Sequence, residues 1–205
     1  MNAAIQVEDG VWVLTRAAAE APPSAHPDDL RRAAGLPRWR AGRFLRGRGL
    51  LRELLATTVP RLAGVDVVLD ERGKPWLAGF SRAGVSISHS EGRLACAFAA
   101  GRAIGVDVQR PADSVGAGLA HRLLRSHAPR VLALPPAEAA ETVAWVWTAQ
   151  EACVKAAGSG LAGRPWAIDV APGASRGRWG PYRWISLREY SHTPLSCAFE
   201  ACREE

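Results

Sequence analysis

The chain has 205 residues, 48% of them hydrophobic and 22% charged, a balance typical of a globular protein with one large domain or two small ones. No apolar run reaches the roughly 18 residues of a membrane span, and the first residues lack the basic flank and apolar stretch of a secretory signal. We therefore expect a cytoplasmic protein with no membrane span. The net charge of +6 favours a polyanionic partner without identifying it.

The cysteines predict a reducing compartment. None of the four forms a CxxC pair, and no histidine pair accompanies them. Three of them lie in apolar runs and are expected to be small buried hydrophobes. The four are Cys96, Cys153, Cys197 and Cys202.

The first third of the chain predicts a hairpin followed by two helices. Residues 5–14 alternate in polarity around a central Asp-Gly and predict an opening strand or hairpin. Asp28 and Asp29 are expected to cap a short helix that ends at Ala34. Residues 39–58 predict a long helix with one apolar face and a row of arginines on the opposite surface. These arginines are Arg40, Arg43, Arg46, Arg48 and Arg52.

The rest of the chain predicts strands and a second long helix. This helix spans residues 137–157, where Ala and Glu dominate after Pro135-Pro136. A shorter helix is expected at 119–125. Strands are predicted at 65–69, 76–77, 85–88, 94–99, 104–108, 166–170, 183–190 and 195–200.

One internal repeat suggests two related halves. Residues 94–100 and 195–201 are identical at five of seven positions, and each copy follows a long helix. We expect two subdomains, 1–103 and 104–205, each a long helix packed on a small antiparallel sheet. A chance match is the alternative. If the halves are related, a ligand is expected in the cleft between them.

The second long helix carries the first candidate site residues. Trp147, Glu151 and Lys155 are spaced by four and share one helix face. The simplest alternative is a solvated Glu–Lys pair beside a packing tryptophan. Lys155 and Lys74 are the only lysines among 26 basic residues, which favours a role that an arginine cannot fill.

Asp107 is the second candidate. It interrupts the apolar strand 104–108 and, by the pleat, shares a face with Gly105 and Gln109. Such a carboxylate must be paired, hydrogen-bonded or bound to a metal, unless it caps a turn at the strand end. Together with Glu151 it offers the hard oxygen ligands that suit Mg²⁺.

Candidate anion-binding residues lie in the first half. Gly73 and Pro75 set a turn that presents Lys74. His89 is expected to donate to a phosphate, with a satisfied core histidine as the alternative. Ser88 lies on the other strand face, so the two make a poor hydrolase dyad. P-loop and dinucleotide-binding motifs are both absent from the sequence.

These motifs together resemble the Sfp-type 4′-phosphopantetheinyl transferases. The resemblance spans residues 40–161 and rests on five segments in the family's order and spacing. They are Gly73-Lys-Pro75, Ser86-Ile-Ser-His-Ser90, Gly105-Val-Asp-Val108, Trp147-Thr-x-x-Glu-Ala-x-x-Lys155 and Gly158-x-Gly160-Leu161. The resemblance implies a monomeric α/β (α+β) fold of two pseudo-two-fold-related subdomains, with coenzyme A and Mg²⁺ bound between them.

The resemblance also implies a reaction. Such enzymes move the 4′-phosphopantetheine arm of coenzyme A to a serine of an apo acyl or peptidyl carrier protein and release adenosine 3′,5′-bisphosphate. Asp107 and Glu151 match the Mg²⁺ ligands, and Lys155 matches the residue that assists the leaving group. Glu151, directly or through a metal-bound water, is the candidate acceptor of the serine proton.

The nucleotide contacts implied by the resemblance lie in the first subdomain. Lys74, Ser88 and His89 match positions near the phosphates, and Arg43 matches a contact to the 3′-phosphate. Which further arginine assists is left open among Arg31, Arg32, Arg38 and Arg40.

Two positions depart from the family pattern. Gln109 stands where many members have a third acidic ligand, so its amide oxygen would bind the metal directly or through water. Gln150 stands where a second lysine is common. The alternative function is a weakened homologue that binds coenzyme A or a carrier protein without efficient turnover.

A nucleic-acid-binding domain is a further alternative, motivated by the arginine-rich helix. Gly47, Gly49 and the scarcity of exposed aromatic residues argue against it. The pathway, whether fatty-acid, polyketide or peptide assembly, is left open by the sequence.

Overall fold

The structure is a computed structural model that describes residues 3–201. It divides into two compact units, residues 1–104 and 105–205. Both units combine helices with a mostly or wholly antiparallel sheet, which confirms the predicted mixed α/β class. The pseudo-two-fold relation between the halves stays a prediction.

The first unit is a six-stranded antiparallel sheet with one long helix across it. The strand order is β1-β2-β6-β5-β4-β3. The strands are β1 Ile5–Glu8, β2 Val11–Ala17, β3 Val67–Leu69, β4 Pro75–Leu77, β5 Ala83–Ser90 and β6 Arg93–Ala100. The helices are α1 Pro27–Ala34 and α2 Arg38–Thr58, and α2 packs on β2, β5 and β6.

The core of this unit lies between α2 and the sheet. Leu50, Leu51, Leu54 and Leu55 are fully buried and meet apolar strand residues such as Phe98. The predicted helix and its apolar face are therefore confirmed. The predicted hairpin is confirmed as well, since β1 and β2 pair directly.

Two predictions about charged residues in this unit are wrong. Asp29 does not cap α1 but lies in its first turn, fully buried, where it accepts hydrogen bonds from Ser24 Oγ and Arg52 Nε. Arg48 was expected on the exposed face of α2, yet it is 2% exposed. Both errors have the same cause. Charged residues are usually exposed, so the sequence gives no sign that these two are buried close to each other.

The second unit is a four-stranded sheet of order β7-β10-β9-β8. Its strands are β7 Ile104–Val108, β8 Arg176–Trp179, β9 Tyr182–Ser186 and β10 Leu195–Glu200. The helices are α3 Ala117–Leu124, α4 Ala128–Leu132 and α5 Pro136–Ala157, and α5 packs on β9 and β10. The helix predicted at 137–157 is confirmed.

Two strand predictions in this unit need correction. Residues 166–170 are not a strand, because a 3-10 turn over Pro165–Ala167 leads into irregular chain whose Ile168 and Val170 pack in the core. The predicted strand 183–190 ends at Ser186, and β8 was missed.

The three cysteines in the described residues, Cys96, Cys153 and Cys197, are buried and unbridged, as predicted. Cys202 lies outside the described residues. Within residues 3–201, no helix is both long enough and apolar enough to cross a bilayer.

Gly49 allows the loop before α1 to lie against α2. Ser24 N donates to Leu45 O at 2.8 Å, and a Cβ on Gly49 would stand 1.9 Å from Pro22 O. No side chain can be accommodated there without moving the loop backbone.

We predict that Gly49→Ala lowers the free energy of unfolding by about 1–3 kcal/mol or more, because overpacking displaces backbone. Gly42→Ala is the control, because Gly42 is an exposed site of the same helix where an added Cβ would meet nothing within 4 Å beyond its chain neighbours and the adjacent helix backbone. It should raise stability by up to about 1 kcal/mol through helix propensity. Urea denaturation measures both, and equal effects of the two substitutions would contradict the close approach.

Candidate active site

The site in the second unit begins with the contact between β7 and the end of α5. A Cβ on Gly105 would stand 2.1 Å from Ala152 O and 2.4 Å from Ala156 N. Only glycine permits this distance between a strand and a helix backbone. The approach places the last two turns of α5 against the strand that carries Asp107.

Asp107 and Lys155 form an ion pair at this contact. Lys155 Nζ donates to Asp107 Oδ1 at 2.5 Å and to Val106 O at 3.3 Å. Asp107 is 5% exposed, whereas the Lys155 side chain is 28% exposed. Asp107 is thus held by a partner on the facing helix.

Glu151 lies one helical turn before Lys155 and completes the group. Burial, and secondarily the negative charge of Asp107, raises the pKa of the Glu151 carboxyl, while Lys155 acts in the opposite direction. Glu151 Oε1 is buried and has no hydrogen-bond partner among the described residues. The carboxylates of Asp107 and Glu151 are therefore close enough to repel each other, and Glu151 Oε1 has no hydrogen bond within the described residues.

This arrangement fits a divalent cation. One ammonium faces two carboxylates, and an unsatisfied carboxylate oxygen is the ligand that Mg²⁺ or a similar hard cation takes. Within residues 3–201, no group of three or more His, Cys, Asp or Glu side chains could hold a metal alone. A cation here would need further oxygens from an amide, water or substrate, as is usual for Mg²⁺.

Gln109 lies one residue beyond the end of β7. Its backbone N–H donates to Pro194 O at 2.9 Å, and its side-chain Nε2 donates to Arg110 O at 2.9 Å. It also lines a cavity of about 270 Å³ together with Trp147. Whether its amide oxygen binds metal stays a prediction.

Gln150 is the other residue that departs from the family pattern, and it lies in the interior of the second unit. It is fully buried, and its Nε2 donates to Leu123 O at 3.0 Å and to Ile168 O at 2.9 Å. These bonds join α5 to α3 and to the chain after the 3-10 turn at 165–167. The Gln150 side chain therefore links elements inside the unit, a position that the sequence alone did not indicate.

A second candidate site lies in the first unit, where α2, β5 and the turn before β4 line an open cavity of about 280 Å³. Arg43 and His89, both predicted, line it. Gly73 and Pro75, the neighbours of Lys74, line it as well. The complete lining is Arg40, Arg43, Phe44, Gly47, Arg48, Leu69, Gly73, Pro75, Ile87, His89 and Leu94.

Of the remaining predicted residues here, Ser88 is 2% exposed and points away from His89 on the opposite strand face. Lys74 lies in a turn closed by Asp70, whose Oδ1 accepts from Lys74 N at 2.8 Å. Sequence reasoning missed Arg48, a buried guanidinium in the cavity lining. The row of arginines on this helix gave no means of telling a buried arginine from an exposed one.

The match to a protein-family model lies mainly in the second unit. Residues 103–183 match the model of the 4′-phosphopantetheinyl transferase superfamily. The matched segment contains Asp107, Gln109, Glu151 and Lys155, and the match confirms the resemblance to 4′-phosphopantetheinyl transferases for this segment at the level of the superfamily.

A curated relative gives the same result. The chain is 34% identical over 127 residues to a protein named 4′-phosphopantetheinyl transferase HetI from Nostoc sp. (strain PCC 7120). The alignment covers 58% of this chain and 53% of that protein. The chain thus spans about half the length of this relative.

We predict that Glu151→Gln raises the melting temperature in metal-free buffer at neutral pH. Because the folded environment raises the pKa of this carboxyl, its ionised form costs stability above the unfolded pKa, and the amide removes that cost. Added Mg²⁺ should raise the melting temperature of the wild type more than that of the variant. Glu138→Gln, an exposed change on the same helix, is the control for both effects. Equal Mg²⁺ responses in the wild type and Glu151→Gln would contradict the metal fit.

Proposed function

We propose that the protein transfers the 4′-phosphopantetheine arm of coenzyme A to a serine hydroxyl of an apo acyl or peptidyl carrier protein. The observation that carries this proposal is the group formed by Asp107, Glu151 and Lys155 at the β7–α5 contact, inside the segment that matches the superfamily. Phosphoryl transfer depends mainly on positioning and charge neutralisation, and this group supplies both.

Asp107 and Glu151 would hold Mg²⁺, with Gln109 as a further oxygen ligand, directly or through water. When bound, the ion neutralises charge on the diphosphate of coenzyme A. The unsatisfied Glu151 oxygen and the buried Asp107 support this assignment.

The chain's own residues carry the proton and the leaving group. The serine oxygen forms a bond to the phosphorus next to the pantetheine, and the bond from this phosphorus to the bridging oxygen breaks. The serine proton passes to Glu151, directly or through water. Lys155 neutralises the bridging oxygen that departs with adenosine 3′,5′-bisphosphate.

The cavity of the first unit suits the nucleotide end of coenzyme A. Arg43 and His89 offer donors for phosphate oxygens, while Phe44, Ile87 and Leu94 offer an apolar surface for the adenosine. Lys74 is proposed as a further contact to the phosphates. Ser88 is proposed to contribute through its backbone alone, since its side chain is buried on the strand face opposite His89.

The carrier protein is proposed to meet the second unit beside α5. Trp147 lies one turn before Glu151 and lines the largely apolar 270 Å³ cavity with Gln109 and Leu119. A partner seated here brings its serine next to the carboxylates. The net charge of +6 suits an acidic carrier, and the association is expected to weaken with salt. We place the activity in the cytoplasm, carried out by a monomer.

The test is incubation of an apo carrier protein with the full chain, coenzyme A and Mg²⁺. Mass spectrometry should show the carrier gain one phosphopantetheine arm, and a Ser→Ala carrier should gain nothing. Binding of coenzyme A or carrier without mass gain would favour the alternative of a weakened homologue, which Gln109 in place of an acid motivates.

We predict that Asp107→Ala and Glu151→Ala each reduce the transfer rate by about a hundredfold or more, because charge stabilisation at the reacting phosphate is lost. Initial rates followed by mass spectrometry measure the effect, with circular dichroism to verify folding. Glu138→Ala is the matched control on α5. Near-normal rates in either site variant would refute the metal assignment.

We predict that Lys155→Ala lowers kcat more than it raises KM for coenzyme A, since the ammonium acts where charge develops on the leaving oxygen. Lys155→Arg should recover part of kcat, because it retains the charge with a different geometry. Steady-state kinetics separates the two parameters. A rise in KM with unchanged kcat would make Lys155 a binding residue only.

A further inference from the structure

The cavity of the first unit has a buried guanidinium in its lining. Arg48 is 2% exposed, and its Cζ lies 5.1 Å from the centre of the Phe44 ring. Burial lowers the pKa of Arg48 to about 10, so the group remains charged at neutral pH. A buried charge of this kind requires a partner.

Asp29 is the carboxylate that faces Arg48 within the described residues, and it does not fully neutralise the guanidinium. Asp29 accepts from Arg52 Nε at 2.7 Å and from Ser24 Oγ at 2.6 Å, both at Oδ2. Arg48 Nε stands 3.8 Å from the other oxygen, Oδ1, beyond hydrogen-bond distance. One carboxylate thus faces two guanidinium groups.

The nearby acid Asp28 does not correct this excess. Its carboxylate accepts from Arg31 at 3.1 Å and from Arg32 at 2.7 Å on the same short helix. The cluster around Asp29 therefore retains positive charge beside the cavity.

Three buried atoms in the cluster have no hydrogen-bond partner among residues 3–201, and these are Arg48 Nη1, Arg52 Nη2 and Asp29 Oδ1. An unsatisfied buried polar group destabilises the fold, and more so when the group is charged. The contact with the Phe44 ring offsets part of that cost for Arg48. Because Arg48 lines the cavity, an anion bound there would stabilise the buried positive charge.

We propose that Arg48 is a specificity-determining residue whose buried charge makes this cavity prefer a nucleotide with two phosphate groups to one with a single phosphate. The inference rests on the proposed function, which assigns the cavity to the nucleotide end of coenzyme A. A charge removed from water is poorly screened, so it acts on each added phosphate even at raised salt. The exposed Arg43 and Arg40 lack this property.

The test compares the full-length wild type with Arg48→Met by titration calorimetry, using adenosine 3′,5′-bisphosphate and adenosine 5′-monophosphate as probes. Arg48→Met should lose about tenfold in affinity for the bisphosphate, and clearly less for the monophosphate. The loss should persist at raised salt. Arg48→Lys keeps the charge and should retain more of the preference than the methionine variant.

Folding of the variant is expected, because Asp29 keeps its hydrogen bond from Arg52 and the methionine fills much of the arginine volume. Arg48→Gln is a second neutral variant. The control is Arg61→Met, which removes the same charge from an exposed site outside the cavity lining and should leave the preference unchanged.

The outcomes separate the two hypotheses. If the wild type prefers the bisphosphate and the neutral Arg48 variants keep that preference, or lose both ligands equally, Arg48 is structural and this inference fails. The function is then judged by carrier modification alone. If the wild type binds neither probe, the cavity is not the nucleotide site and both the inference and that assignment fail.

Discussion

The contact between β7 and α5 at Gly105 is the constraint on which the candidate active site depends. The site needs a strand carboxylate and two helix side chains within reach of one another. Glu151 and Lys155 reach Asp107 because the strand and helix backbones almost touch, and that distance excludes any Cβ at position 105. A side chain there would separate the helix from the strand and so remove the chemistry without changing any reactive residue.

Much of this arrangement could be predicted from the sequence. Lys155 and Glu151 were placed on one face by helical spacing, and α5 was found from its composition and its starting prolines. The need of Asp107 for a partner followed from its position in an apolar strand, because a buried carboxylate must be paired, hydrogen-bonded or bound to a metal. Local pattern sufficed because each step concerned neighbouring residues or a long regular element.

The sequence failed where tertiary contacts decide the structure. Residues 166–170 have the apolar pattern of a strand, yet Ile168 and Val170 are buried by packing and not by pairing. The polar strand β8 was missed because it lies at the edge of the sheet and lacks the apolar pattern of a buried strand. Its Gly177 is covered by the ring of Trp184, a contact that the sequence does not reveal. Arg48 and Asp29 were placed on surfaces because their burial depends on each other.

The Lys155–Asp107 ion pair bears on how a cation would be taken up. A metal ion arriving at these carboxylates does not meet bare negative charge, since an ammonium already shares Asp107. Uptake would therefore exchange one positive partner of Asp107 for another, and the displaced Lys155 ammonium would become available to a diphosphate ligand. The apparent affinity for the ion would then reflect the difference between the binding of the metal and the binding of the Lys155 ammonium at Asp107. The metal and its anionic ligand should therefore bind cooperatively.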